Sequence, residues 1–232
     1  MQRFGLVLVG ALAFGAFPTA MRAEDPIAVH IGAWAQKTTR EICGQKAVEA
    51  MGIKEKFLFA QVDEDGNARG YSATAAVVVL SVPHQDGIWV GVVAASRNNA
   101  EAGRLRDAIR AHIAEGPHDP KVPKEIGKPD AKKKLEVPAL AWRVKHRDAN
   151  ALLRFFEAIV CIVFEKQGFG TTTPGKWLVC GSSTDRMAIA FAVPGANALK
   201  VHLGVVVAGK EEEDCKQYSQ ALWKRIVDLL YE

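Results

Sequence analysis

Two segments of this 232-residue sequence repeat one pattern, and the repeat restricts the fold more than any other feature. Val82-Pro83 and Val193-Pro194 each end an apolar segment, and each pair is followed by a four-residue polar or small loop. An apolar segment that contains Gly-Val-Val follows in both places, at Gly91-Val92-Val93 and Gly204-Val205-Val206. Repetition of this kind is typical of a duplicated structural unit.

The elements around the two Val-Pro pairs are predicted to occur in one shared order. Apolar residues at helical spacing alternate with short apolar strands, so each half reads helix, three strands, helix. We therefore predict an α+β fold of two tandem αβββα units, each with an antiparallel three-stranded meander and with its helices packed on one face of the sheet. Residues 24–115 form the first predicted unit, residues 116–140 a linker, and residues 141–232 the second unit.

The N-terminal residues 1–23 have the pattern of a removable signal peptide. Arg3 provides a positive start, and the uncharged run 4–17 is shorter than the roughly 20 residues that a membrane-spanning helix needs. Pro18 ends this run, and cleavage is predicted after Ala23, with Ala20 as the alternative site because Met21 is large for its position. The mature chain is expected to be periplasmic or secreted, with no transmembrane span.

The predicted linker is rich in proline and lysine. Residues 116–150 hold nine Lys or Arg and five Asp or Glu, which gives +4 and equals the net charge of the whole chain. The excess charge predicts a patch for an anionic envelope component, and the alternative is a solvated linker without a partner. Nucleic acid is not expected, because no aromatic side chains are interleaved for stacking. The candidate patch consists of Lys121, Lys124, Lys128, Lys132, Lys133 and Lys134.

Four cysteines lie in the mature part of the chain. An even number in an exported protein allows two disulfides. The ends of the first and third strands of a meander lie at one edge, so we predict a disulfide between Cys180 and Cys215. Cys43 and Cys161 are expected to pair across the units or to stay free. The alternative is four buried thiols that act as small apolar side chains.

Strand alternation predicts an apolar face that needs a cover. Val77, Val79 and Trp89 are predicted to project away from the helices of their own unit, on a face too apolar to be left in water. In the second unit, the large side chains from Met187 to Val193 are expected under the helices, and the alternating alanines on the opposite face. We predict that the second unit or a partner protein covers Val77, Val79 and Trp89.

Motifs for catalysis are not found in the sequence. It has no Gly-x-Ser-x-Gly elbow, no His-Glu-x-x-His and no phosphate-binding glycine-rich loop, and neither a metal nor a cofactor is expected. The segment 63–67 resembles the start of a calcium loop but lacks the later ligands, so a hairpin turn is predicted there. Folding is still able to bring His112 or His202 beside a carboxylate or Cys161.

The leading functional hypothesis is an exported, non-enzymatic envelope protein that binds another protein or an envelope component through its sheet faces and basic linker. One alternative is a hydrolase or thiol-dependent enzyme assembled from distant residues. Another is a carrier of a small apolar ligand. A cleft that holds His beside Cys or Asp favours the enzyme, and a cavity between sheet and helices favours the carrier.

Overall fold

The computed structural model describes residues 27–84, 87–128, 137–195, 197 and 199–231. The predicted signal peptide, residues 1–23, lies outside these ranges, as do Lys132, Lys133 and Lys134. Of the helices in the described ranges, none is both long enough and apolar enough to span a membrane.

In the described ranges, the first half of the chain contains six strands and two α-helices. Its helix α1 continues directly into a wider π-helical segment, Glu49–Lys54. The elements are β1 (Ala28–Gln36), α1 (Arg40–Val48), β2 (Phe59–Val62), β3 (Ala68–Tyr71), β4 (Ala75–His84), β5 (Gly87–Ser96), α2 (Asn99–Glu115) and β6 (Glu125–Gly127).

The second half repeats this order without the last strand. A short 3-10 helix, Ala151–Phe155, leads into its first α-helix. The elements are β7 (Ala139–Asp148), α3 (Phe156–Lys166), β8 (Gly170–Gly175), β9 (Leu178–Ser182), β10 (Met187–Pro194), β11 (Lys200–Gly209) and α4 (Glu212–Tyr231).

The two sheets have matching strand orders, which are β1-β5-β4-β3-β2-β6 and β7-β11-β10-β9-β8. The predicted α+β fold is confirmed. Each sheet is wider than the predicted three-stranded meander, because a leading strand, β1 or β7, pairs with the last long strand of its half. In addition β6, inside the segment predicted as a linker, pairs with β2.

Helix α2 shows how the local sequence sets an element boundary. Asn98 is in an extended conformation, and its side chain accepts a hydrogen bond from the Glu101 backbone N–H at 3.1 Å. The Glu101 carboxylate in turn accepts the Ser96 hydroxyl at 2.7 Å. The first of these bonds satisfies a donor that a helix start otherwise leaves open, so the helix begins directly after Asn98.

The two central hairpins have equivalent registers. Val82 lies opposite Trp89 in the first, and Val193 lies opposite His202 in the second. Gly204 of the second Gly-Val-Val segment is opposite Phe191. The repeated sequence pattern therefore corresponds to repeated backbone pairing.

Three large apolar cores hold the described chain together, beside a smaller cluster of Phe59, Tyr71, Ala76 and Val137. Two of them lie between a sheet and its helices, and the third lies between the two sheets. Trp89 stacks on Phe191 across this third core, with ring centroids 4.9 Å apart. The two halves thus pack sheet face to sheet face. The third core consists of Val78, Leu80, Val82, Val93, Cys180, Ile189, Phe191, Val193 and Val206.

The structure reverses the face predicted for Val77 and Val79. Both side chains are buried in the core under the helices of their own unit, whereas Trp89 packs against the second sheet. Directly opposed residues of an antiparallel pair share a face. Since Val82 is opposite Trp89, the even-numbered residues of β4 accompany Trp89, and the prediction for β4 was displaced by one residue.

The face predicted for β10 is also reversed. Ile189, Phe191 and Val193 meet the first sheet, and the alanines between them lie under α3 and α4. Those helices contribute large side chains such as Phe164 and Trp223 to the core, and the small alanines of β10 pack beneath them.

Candidate functional site

A cleft of about 150 Å³ opens where the two units meet. Strands β2, β3 and β4 of the first unit form one side, and β7 with the start of α4 forms the other. Its lining residues are Phe59, Arg69, Gly70, Tyr71, Ala76, Val77, Leu140, Trp142 and Glu212.

Strand alternation places the recognition groups of the first unit on one face. Arg69 and Tyr71 are two residues apart on β3, and Tyr71 lies opposite Phe59 on β2. The Arg69 guanidinium lies over the Phe59 ring, 5.9 Å from its centroid, and donates to Gln61 Oε1 at 3.3 Å. The Tyr71 hydroxyl donates to the Lys128 carbonyl at 2.8 Å. The result is an aromatic surface with a cation beside it.

The second unit adds an apolar wall and a carboxylate. Leu140 and Trp142 project from the same face of β7, and both side chains are only half-buried. Glu212, in the first turn of α4, forms an ion pair with Lys216 one turn later, with Oε1 and Nζ 3.1 Å apart. The cleft therefore combines aromatic rings with groups of both charge signs.

The described lining contains no histidine or cysteine. The volume of the cleft is also below the roughly 300–1,000 Å³ of a typical small-molecule site. A space of this size fits one or two side chains of a partner, and the cleft is not located between a sheet and its helices.

The histidines named from the sequence lie elsewhere. His112 does meet a carboxylate, since its Nε2 is 3.4 Å from Glu49 Oε2, but this pair is enclosed between α2 and the π-helical segment. His202 lies beside His146, with ring centroids 6.1 Å apart, and His84 Nδ1 bonds the Pro194 carbonyl at 2.8 Å. In the described ranges, no three His, Cys, Asp or Glu side chains are arranged to hold a metal ion.

Burial lowers the pKa of His202, and the nearby charges of His146, Arg40 and His84 lower it further. A histidine whose pKa is lower in the folded than in the unfolded state disfavours folding once it protonates. We expect stability to be complete above the ordinary value of 6.5 and to decrease as the pH falls from there through the lowered pKa. The pKa values of Asp107 and Asp148 are also lowered, but these two carboxyl groups affect the stability only below about pH 3.8.

Replacement of His202 by glutamine is therefore expected to flatten the decrease in stability below about pH 6.5. Urea unfolding at a series of pH values measures it. The exposed His118 provides the matched control, because His118→Gln removes a solvent-exposed histidine, whereas His202 is half-buried. An unchanged pH profile in His202→Gln would show that this histidine does not limit stability in acid.

The predicted Cys180–Cys215 disulfide is not formed. Cys180 lies in the core between the sheets, and Cys215 lies in the core under the helices of the second unit. The two side chains are thus on opposite faces of one sheet, which the strand-end argument did not consider. Burial raises the pKa of the Cys180 thiol to about 11, and it also raises the pKa of Cys43.

The described part of the predicted lysine patch is exposed. Lys121, Lys124 and Lys128 lie on the surface of the connection that follows α2. The same basic stretch of sequence continues into β7, where Arg143 is half-buried and Lys145 and Arg147 are exposed. These three cations contribute to the charge of residues 116–150, but no strand was predicted for them.

No family model and no curated protein matches the chain. Among solved structures, the di-domain ARO/CYC BexL from the BE-7585A biosynthetic pathway aligns with 89% of this chain and 99% of its own, at 8% identity and a TM-score of 0.25. The immunity protein TplEi of the T6SS from Pseudomonas aeruginosa, complexed with "L" peptide, aligns with 87% and 90%, at 12% identity and a TM-score of 0.19. Similarities this weak say nothing about function, for which the chain's own residues are the evidence.

Proposed function

We propose that the chain is an exported, non-enzymatic binding protein that takes a segment of a protein partner at the cleft between its two units. The main support for this proposal is that Arg69, Tyr71 and Trp142 all line one cleft. Arginine, tyrosine and tryptophan are the residue types that dominate binding hot spots. The proposal of export rests on the sequence of residues 1–23.

The chemistry of the cleft favours a partner's side chains over a free ligand. Phe59, Leu140 and Trp142 offer apolar surface for an aromatic or aliphatic side chain. Arg69 offers hydrogen-bond donors to a carboxylate on the residue beside it. A segment that places an apolar residue next to an acidic one satisfies both requirements within the available volume.

The test selects peptides from a random library with the mature chain, residues 24–232, and measures their affinity by fluorescence anisotropy. We expect Trp142→Ala and Arg69→Glu each to weaken the selected peptides about tenfold or more, as for hot-spot residues that cost about 2 kcal/mol.

Arg154→Glu provides the matched control. Arg154 also lies over a phenylalanine ring, with its guanidinium carbon 4.7 Å from the centroid of Phe155, but this pair is outside the cleft. Circular dichroism confirms that each variant folds. Peptides that bind the Arg69→Glu and Trp142→Ala variants as tightly as the wild type would refute binding at the cleft.

A further inference from the structure

Strand β7 forms one edge of the second sheet. Among the described strands it pairs with β11 alone. Its first residues are buried or half-buried, whereas the four from Lys145 to Asp148 are exposed. The second half of β7 therefore presents both of its faces and one edge to solvent.

The backbone groups at this edge can be assigned from the register. The Ala149 N–H donates to the Leu199 carbonyl at 2.8 Å, so odd-numbered residues of β7 direct their backbone groups toward β11. The N–H and C=O groups of Val144 and His146 consequently point to the open edge. The Tyr231 hydroxyl donates to the Asp148 carbonyl at 2.8 Å, so the row of unpaired backbone groups ends before this carbonyl.

The side chains along this edge are mainly cationic. Arg143, Lys145 and Arg147 alternate along one face of β7. The one carboxylate among them, Asp148, is paired with Lys200. On the opposite face the His146 ring adjoins the His202 ring.

These charges distinguish between possible occupants of the edge. Positive side chains on an edge strand discourage pairing with a second copy of the same strand, because like charges would lie opposite one another. The same side chains attract a strand with acidic residues at every second position. A protein segment of that pattern matches both the open backbone groups and the cations.

We propose, on the basis of the binding function above, that the partner segment is an extended acidic strand that adds to the open edge of β7. Its backbone pairs with Val144 and His146, as in other cases of strand addition. Its acidic side chains lie opposite Lys145 and Arg147, and residues further along reach the cleft beside Trp142, which is on the same strand.

The probe is a ten-residue peptide with glutamate and threonine alternating. A peptide of identical composition with all the glutamates at one end has equal charge and is the reference. We expect the alternating peptide to bind more tightly and its affinity to fall as salt increases. On its addition, the amides of Val144 and His146 are expected to become protected from hydrogen exchange, as measured by NMR.

His146→Pro removes an N–H that points to the edge while keeping the hydrogen bonds between β7 and β11. Its matched control, His146→Ala, removes the same imidazole and keeps the N–H. We expect the proline variant to lose about tenfold or more in affinity, and the alanine variant to change little at pH 7.5. Lys145→Glu with Arg147→Glu is expected to abolish binding of the alternating peptide.

Equal affinity of His146→Pro and His146→Ala would overturn strand addition, because charge alone would then explain binding. Binding to vesicles rich in anionic lipid, with no preference between the two peptides, would assign the edge to a membrane and likewise overturn the proposal. The cleft is tested separately, since Arg69→Glu leaves the edge intact. If Arg69→Glu abolishes binding of the library peptides and His146→Pro has no effect, binding at the cleft is supported and strand addition to β7 is refuted.

Discussion

Replacement of Phe191 by alanine is expected to lower the free energy of unfolding by about 3–5 kcal/mol. The ring is 2% exposed, lies in the core between the two sheets and stacks on Trp89. Its removal leaves a cavity that both units border, and a tightly packed core does not close such a space fully. Urea unfolding followed by circular dichroism measures the loss.

Phe155→Ala is the matched control, because the ring of Phe155 is 47% exposed and lies outside the three cores. We expect that change to cost less than about 1 kcal/mol. The double variant Phe191→Ala with Trp89→Ala is expected to lose less stability than the sum of the two single variants. Each single change already removes the stacking between the two rings. Similar losses for Phe155→Ala and Phe191→Ala would contradict a shared core at this position.

Replacement of Gly204 by alanine is expected to cost about 3 kcal/mol, the upper part of the range for overpacking. A Cβ at this position would lie 2.0 Å from Cζ of Phe191 and 2.5 Å from two further ring carbons. The ring cannot move away freely, because Trp89 stacks on it. Calorimetric melting of the variant measures the loss.

Gly170→Ala tests whether any alanine in a strand has this effect. The nearest atom to a Cβ at Gly170 is the Ser182 carbonyl oxygen at 3.8 Å, so the change is expected to be nearly neutral. Phe191→Leu in the Gly204→Ala background is expected to recover part of the lost stability by shortening the side chain. If Gly204→Ala and Gly170→Ala lower the stability equally, the packing of the Phe191 ring does not require a glycine at position 204.

The repeated Gly-Val-Val segments show how far sequence reasoning reached in the fold. The Val-Pro pairs and the Gly-Val-Val segments after them predicted matching hairpins, and the registers are equivalent, since Gly91 lies opposite Leu80 and Gly204 lies opposite Phe191. Which face of β4 meets the helices depends on the residue that lies opposite Trp89, and hence on the hairpin geometry. When the residues on both faces of a strand are apolar, as in β4, alternation alone cannot show which face meets the helices.

The candidate site was less accessible from sequence, because its parts come from distant segments. Arg69 is on a four-residue strand, β3, and no strand was predicted at that residue. Trp142 lies at a predicted unit boundary in a segment to which no strand was assigned. The alternation of Arg143, Lys145 and Arg147 was the available signal for β7, but these residues were used only in the charge count of residues 116–150.

The fold and the proposed function are linked by the core between the sheets. Packing of β7 against the first sheet places Leu140 and Trp142 beside β2 and β3, which forms the cleft. The open edge of β7 follows instead from its position at the end of the second sheet. The cleft therefore requires that the two units stay together, whereas the edge belongs to the second unit alone.

Native-state hydrogen exchange tests most directly whether the two units fold as one body. If they share the core, the slowest amides of β4 and β10 should exchange with the same free energy and the same dependence on denaturant. Phe191→Ala should lower both free energies equally. Exchange of one unit's amides at a distinctly lower free energy, with the other unit unaffected by Phe191→Ala, would contradict a common core and with it the cleft at the junction.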